Sequence, residues 1–174
     1  MWYWLLPKMK YLPKEYGKSW EHLVRDRKGA LVGVWAGVDP GEKRIGCARG
    51  DGLGVLATPR GVLSTREELV VWLLKTDEDH QLAGVVIGMP RNMDGSFGPM
   101  AIRSLELVRW LRDQVDFPVL LWDERLTSVH AQGLAGNRGL DEKAAAILLQ
   151  SFLDAGTPDQ PDPPGLIEAA DGKI

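Results

Sequence analysis

The chain has 174 residues, of which 44% are hydrophobic and 26% charged, and its formal net charge is −3. This length and composition predict one globular domain with its own core, and they argue against a uniformly basic, nucleic-acid-coating surface. The single cysteine, Cys47, excludes an internal disulfide framework and favours a reducing compartment. No apolar run is long enough to span a membrane and no signal peptide is visible, so we expect a cytoplasmic protein without membrane contact.

The first 33 residues differ in charge from the rest of the chain. They hold seven basic and three acidic side chains, a surplus of four, which leaves a net charge of −7 on the remainder. They also contain all three tyrosines and three of the seven tryptophans. Interleaved basic and aromatic side chains suit stacking on single-stranded nucleic acid, although a poorly ordered arm or a surface helix is the commoner explanation. Residues 1–33 are therefore predicted to be a basic, aromatic N-terminal extension.

A strand, a tight turn and a return strand open the domain. Residues 34–39 alternate as a strand does, and Pro40 with the glycine after it ends that strand. Gly37 and Asp39 share one face, so we expect open space beside the Asp39 carboxylate. The return strand over residues 45–50 also has small residues on one face, which indicates close approach to the backbone. An aspartate in this place either supports its own turn or presents a carboxylate at a strand end.

Helices and strands then alternate along the chain. An edge strand over residues 55–63, which contains Pro59, is followed by a helix that a capping box at 64–67 opens and that runs to about 75. A strand at 83–88 buried on both faces, a loop at 89–98 and a helix from 99 to about 115 come next. The last predicted elements are a buried strand at 118–122, a short helix at 128–135 and a helix from 141 to about 154. The order predicts an α/β domain with a mixed sheet over residues 34–154. The Pro-rich tail, residues 155–174, is predicted to be disordered.

Three acidic residues stand where such a sheet brings ligands together, beyond the carboxyl ends of its strands. Asp39 ends the first strand, Glu124 follows the last strand, and Asp141 heads the last helix. A plain helix cap explains Asp141 equally well. At the helical period Asp141 shares the core-facing side of its helix with Ala145, Leu148 and Phe152, opposite Lys143, Gln150 and Asp154. Asp123 competes with Glu124, because adjacent strand residues face opposite sides and both cannot enter one site. Asp123 would otherwise pair with Arg125 or cap the following turn.

Four short motifs stand in order along the chain: GVDPGEKRIG at residues 37–46, VIGMPRNMDG at 86–95, DERLT at 123–127 and DEKAAAILLQ at 141–150. Together they resemble the YqgF family of RuvX-type proteins, described both as Holliday-junction resolvase-like and as pre-16S rRNA nucleases. The resemblance covers roughly residues 34–154 and implies an RNase H-like fold, with a five-stranded mixed sheet flanked by helices. Pro40 and the Glu142–Lys143 pair depart from the family pattern, and neither departure removes a carboxylate.

The resemblance also implies a metal site and a reaction. Asp39, Glu124 and Asp141 would be catalytic and would hold Mg²⁺ or Mn²⁺, with two ions expected at the scissile phosphate. Both ions prefer hard oxygen ligands and keep several waters, which explains the carboxylates. Asp39 would bridge the ions, and hydrolysis would leave 5′-phosphate and 3′-hydroxyl ends.

Polar residues beside these acids are candidates for phosphate contact. Those predicted to bind nucleic acid are Lys43, Arg44, Arg91, Asn92, Arg125 and Thr127. A solvated hairpin turn explains the first two equally well, and turn formation is the competing explanation for Asn92.

Several functions fit this pattern. A metal-dependent nuclease acting on RNA, with ribosomal RNA precursor as its substrate, is the main hypothesis. A resolvase of four-way DNA junctions is the second, and it needs two coordinated active sites. A homodimer would therefore favour junction resolution and a monomer RNA processing. A non-catalytic nucleic-acid-binding protein fits the acid trio less well. An actin-like ATPase, whose fold also begins with an Asp-x-Gly strand and turn, would need a second phosphate-binding half that the sequence lacks.

Overall fold

A computed structural model of the chain describes residues 24–25, 31–123, 140–158 and 161–172, with side chains over 33–123, 143–158 and 161–172. The elements are β1 (Val24–Arg25), β2 (Leu31–Val32), β3 (Val34–Pro40), β4 (Ile45–Gly50), β5 (Ala57–Leu63), α1 (Arg66–His80), β6 (Leu82–Met89), α2 (Pro99–Arg112), β7 (Val119–Asp123), α3 (Leu140–Asp154) and α4 (Pro164–Ala170). No helix within these ranges is both long and apolar enough to cross a membrane.

Five strands form one mixed sheet in the order β5-β4-β3-β6-β7. The strands β3, β4 and β5 make an antiparallel meander, whereas β6 and β7 run parallel to β3. The strands β1 and β2 pair separately as a two-stranded antiparallel sheet. This arrangement confirms the predicted α/β fold with a five-stranded mixed sheet. It also confirms that the strand containing Pro59 lies at an edge, where proline interrupts no central ladder.

The sheet has a separate core on each face. On one face, side chains such as Ile87 and Leu121 pack against α1, α2 and α4. On the other face, Trp35 and Trp122 pack against α3. The ring of Phe152 on α3 lies edge-on to both tryptophans, with centroid distances of 4.8 Å to Trp35 and 5.4 Å to Trp122. Each buried strand residue can therefore be assigned to one face of the sheet, and the same assignment applies to the acidic residues at the strand ends.

Capping hydrogen bonds fix the start of α1, and both ends of this helix differ by a few residues from the predicted ends. The hydroxyl of Thr65 accepts a hydrogen bond from the Glu68 amide at 3.1 Å, and the Glu68 carboxylate accepts one from the Ser64 amide at 2.8 Å. The capping interaction thus lies one residue later than predicted. The helix α1 runs to His80, five residues past the predicted end, and Gln81 ends it in a left-handed conformation with φ of 52°. The predicted short helix at 128–135 lies outside the described residues.

The tail, predicted to be disordered, forms a packed helix instead. Leu166 of α4 is fully buried in the core. Just before α4, Asp162 accepts hydrogen bonds of 2.6 and 3.0 Å from Arg112 of α2, and Asp171 lies 3.3 Å from Arg109. The prediction was wrong because the prolines suit a helix start and the acids find arginine partners distant in sequence.

The Arg112–Asp162 ion pair should contribute measurably to stability. Replacing Asp162 by asparagine is expected to lower the free energy of unfolding by about 2 kcal/mol, because the pair is buried, with exposed fractions of 10% and 11%. Asp171→Asn is the matched control: its pair with Arg109 is 34% and 44% exposed, so about 0.5 kcal/mol or less is expected. Urea unfolding compares the two variants, and equal losses would contradict this account of the tail.

Candidate active site

Asp39 lies near the carboxyl end of the central strand β3, on the face that α3 covers. Gly37 precedes it on that face, and a Cβ at Gly37 would lie 2.6 Å from the Cβ of Leu149 and 3.0 Å from the carbonyl oxygen of Ala145. Helix α3 therefore fills the space that was expected to be open. The Asp39 side chain is partly exposed. The missing Cβ brings α3 against the strand that ends in this acid.

The turn after Asp39 is tight and carries basic side chains. The amide of Gly41 donates to the Asp39 carbonyl oxygen at 3.1 Å. A Cβ at Gly41 would lie 2.8 Å from the Arg44 carbonyl oxygen, so the turn requires glycine. Lys43 and Arg44 are exposed beside the acid. Their contact with nucleic acid stays a prediction that this position permits.

Asp123 lies on the opposite face of the sheet from Asp39. Leu121, two residues earlier in β7, belongs to the core on the α2 side, whereas Trp122 belongs to the core on the α3 side. Asp123 therefore faces the α2 side, where it is 9% exposed. Its Oδ2 lies 3.4 Å from Nη1 of Arg91. The Arg125 partner predicted from the sequence lies outside the described residues.

The loop after β6 is held together by bonds among its own residues. Arg91 donates to the Gly95 carbonyl oxygen through Nε at 3.0 Å and Nη2 at 2.6 Å. Asn92 donates to the Ser96 hydroxyl at 2.8 Å. Asp94 accepts from the Ser96 hydroxyl and amide, and these bonds lower the pKa of its carboxyl group. Turn formation therefore accounts for Asn92 and Asp94, while Asn92 remains exposed for the predicted nucleic-acid contact.

Helix α3 carries Asp141 in its first turn and is fixed to the sheet by two polar contacts. Gln150 accepts from the Ala57 amide at 2.9 Å and donates to the Val55 carbonyl oxygen at 2.8 Å, as a neighbouring strand would. Trp122 of β7 donates to the Ser151 hydroxyl at 3.1 Å. The sequence predicted neither contact, because Gln150 and Trp122 each bond to a residue distant in the chain.

Helix α3 buries the side chains that its periodicity predicts. Ala145, Leu148 and Phe152 are buried, and Asp154 is exposed. The side chain of Asp141 and the whole of residues 124–139, including Glu124, Arg125 and Thr127, lie outside what the structure describes. Among the described side chains, no group of three His, Cys, Asp or Glu residues could hold a metal ion. The structure thus describes one carboxylate of the predicted trio, Asp39.

Comparison with known proteins identifies the family. The family model RuvX, described as Holliday junction resolvase, matches residues 33–155. The chain belongs to the RuvX family. A protein of Halothermothrix orenii named "Putative pre-16S rRNA nuclease" is 35% identical over 129 residues, which cover 68% of this chain and 92% of that protein. A protein of the same name from Paracoccus denitrificans is 39% identical over 134 residues, covering 71% and 85%. The predicted family is confirmed.

The solved structures that match this chain include RuvC of Thermus thermophilus. One RuvC structure matches with a TM-score of 0.46 at 13% identity and covers 71% of this chain and 97% of RuvC. RuvC in complex with a Holliday junction substrate matches with a TM-score of 0.45 at 14% identity, covering 71% of this chain and 96% of RuvC.

The match to the RuvX family model contains all four sequence motifs and all three predicted acids. The helix α4 and the small β1–β2 sheet lie outside it.

Proposed function

We propose that this RuvX-family protein is a divalent-metal-dependent nuclease that hydrolyses phosphodiester bonds in RNA and processes precursor 16S rRNA. The observation that carries the proposal is Asp39, a partly exposed carboxylate near the end of the central strand, with the helix that bears Asp141 packed on the same face. The substrate is proposed from the name shared by the curated relatives.

The donors near Asp39 suit a hard metal ion. Cys47, the only cysteine, is buried on the opposite face, where burial raises the pKa of its thiol to about 12 and so removes the thiolate as ligand or nucleophile. His80 contacts Arg49, whose strand neighbour is Ala36, away from the end of β3. Oxygen donors without a nearby thiolate or imidazole among the described residues fit Mg²⁺ or Mn²⁺ better than Zn²⁺.

Asp39, Glu124 and Asp141 are the residues that would hold the metal. A bound divalent ion supplies an activated water and Lewis-acid stabilisation of the phosphate charge. The chain's part is to keep Asp39 in a fixed place: β3 is hydrogen-bonded to β4 and to β6, and α3 packs against Gly37. We propose a two-ion site, to which Asp39 would contribute its carboxylate.

Glu124 is proposed over Asp123 because of strand alternation. Asp123 faces the α2 side with Leu121 and is engaged by Arg91. In an extended chain, the residue after Asp123 falls on the side of Trp122, which is the side of Asp39. The motif position and the alternation of faces therefore support the same residue.

A direct test offers the purified protein three labelled substrates with Mg²⁺ or Mn²⁺: precursor 16S rRNA, an unrelated single-stranded RNA and a four-way DNA junction. We expect the precursor to be cut at discrete positions, and the junction to be cut more slowly or not at all. Selective symmetric cutting of the junction by a homodimer would favour the second candidate, junction resolution, which the description of the family model supports. Binding without cutting of any substrate would contradict a nuclease.

A further inference from the structure

We infer that Arg91 is a positioning residue that holds the end of β7, and with it Glu124, in the orientation that the acid site requires. The inference rests on the proposed function and deepens it. It also differs from the direct phosphate contact that the sequence predicts for Arg91.

The guanidinium group of Arg91 is engaged within the protein on several sides. Besides its two hydrogen bonds to the Gly95 carbonyl oxygen, it forms the ion pair with Asp123. Its Cζ lies 4.3 Å from the ring centroid of Phe97. The Arg91 side chain is 25% exposed and that of Asp123 is 12% exposed. A planar, forked cation that also stacks on a ring suits this combination of partners, and lysine does not.

The Arg91–Asp123 ion pair matters because of where Asp123 lies in β7. Asp123 is the last residue of β7, and Glu124 follows it directly. A slip or rotation by one residue at a strand end exchanges the side chains of its two faces. By pairing with Asp123, Arg91 fixes the last described residue of β7 on the α2 side, and Glu124 continues the chain from that residue.

The tail helix α4 packs against Phe97, the aromatic ring on which Arg91 stacks. Phe97, the ring under Arg91, packs at the edge of the core that also contains Leu166. A Cβ at Gly165 of α4 would lie 3.4 Å from Cε2 of Phe97, so the backbone of α4 lies close to this ring. The tail is outside the segment that the family model matches. It therefore extends the structural support of the site beyond that segment.

The test compares two partly buried arginines in the full-length chain. Arg91→Met removes the proposed positioning group. Arg112→Met is the matched control, because Arg112 also pairs with an aspartate of low exposure and also contacts β7, but at its other end, where it donates to the Val119 carbonyl oxygen at 3.2 and 2.8 Å. Both variants should lose stability. A change seen only in Arg91→Met is therefore an effect on the site and not a general loss of packing.

Three measurements are made on both variants and the parent. Mn²⁺ binding without substrate is followed by calorimetry, kcat and KM are measured on RNA, and RNA affinity is measured against salt concentration. We expect Arg91→Met to weaken Mn²⁺ binding about 10-fold and to lower kcat about 10- to 100-fold, as loss of a group that orients metal ligands does. Arg112→Met should stay within about twofold for both quantities, and neither variant should change the slope of log affinity against log salt.

Other outcomes overturn the inference. If Arg91→Met reduces the slope of log RNA affinity against log salt by about one and retains Mn²⁺ binding, Arg91 is a phosphate contact. Unchanged Mn²⁺ binding and kcat would make its role structural only. If Arg91→Met does not fold, Asp123→Asn takes its place, with a smaller loss of Mn²⁺ affinity expected and an unchanged affinity contradicting the inference. A parent protein that binds no Mn²⁺ would overturn the metal-dependent function as well, whereas a failure confined to the variants overturns this inference alone.

Discussion

Replacing Asp39 by asparagine is expected to lower the rate of RNA cleavage at least about 100-fold, because it removes the charge of the proposed shared metal ligand. The substitution keeps the size of the side chain. The turn that follows should survive, since Gly41 donates to the backbone carbonyl oxygen of Asp39 and not to its side chain. RNA affinity and thermal stability should therefore stay close to those of the parent protein.

Asp51→Asn is a matched control for this substitution. Asp51 directly follows β4 and accepts hydrogen bonds from the amides of Leu53 at 3.2 Å and Val55 at 2.8 Å, which the asparagine oxygen can also accept. It follows Gly50, whose strand β4 runs antiparallel to β3, so it lies at the other end of the sheet from Asp39. We expect its cleavage rate to match that of the parent. A normal rate in Asp39→Asn would remove Asp39 from the mechanism.

Gly37→Val is expected to lower the free energy of unfolding by about 3 kcal/mol and to reduce cleavage as well. A Cβ at this position would lie 2.6 Å from the Cβ of Leu149, so strand β3 and helix α3 would have to separate. Asp39 lies one residue before the end of this strand and Asp141 lies in the first turn of the helix, so the two residues would move apart. Urea unfolding measures the stability, and the cleavage assay is run at a temperature where the variant is folded.

The control for Gly37→Val is the same substitution at Gly52. A Cβ there would have no atom within 4 Å, and we expect a change of about 0.5 kcal/mol or less with full activity. Equal losses of stability at Gly37 and Gly52 would contradict the close packing of α3 on β3. A stable Gly37→Val variant with normal cleavage would contradict the role of this packing in the site.

Local patterns predicted the sheet and the faces of its helices well. The apolar run at 83–88 predicted a strand covered on both sides, and the run forms β6, every residue of which is buried. The 3.6-residue period predicted that Ala145 and Phe152 face the sheet. The open space predicted at Gly37 is filled by α3, because the sequence does not say which element packs against a small residue.

Contacts between distant residues were not predictable in the same way. The tail looked disordered because its prolines and acids were judged alone, whereas Asp162 is paired with Arg112, 50 residues away. The sequence predicted a phosphate contact for Arg91 and did not predict Asp123 and Phe97 as its partners. The face of the sheet on which Asp123 lies is assigned by the packing of Leu121 and Trp122, and the sequence alone did not give it.

The most direct test of the account is cleavage of end-labelled precursor 16S rRNA by the full-length protein, with Mg²⁺ or Mn²⁺ and then with excess chelator. The account predicts discrete products with 5′-phosphate and 3′-hydroxyl ends, lost with the chelator and recovered when metal is added back. Asp39→Asn should give none of these products at the same protein concentration. Cleavage that persists in the chelator, or that Asp39→Asn performs at the parent rate, would contradict a metal-dependent nuclease centred on Asp39.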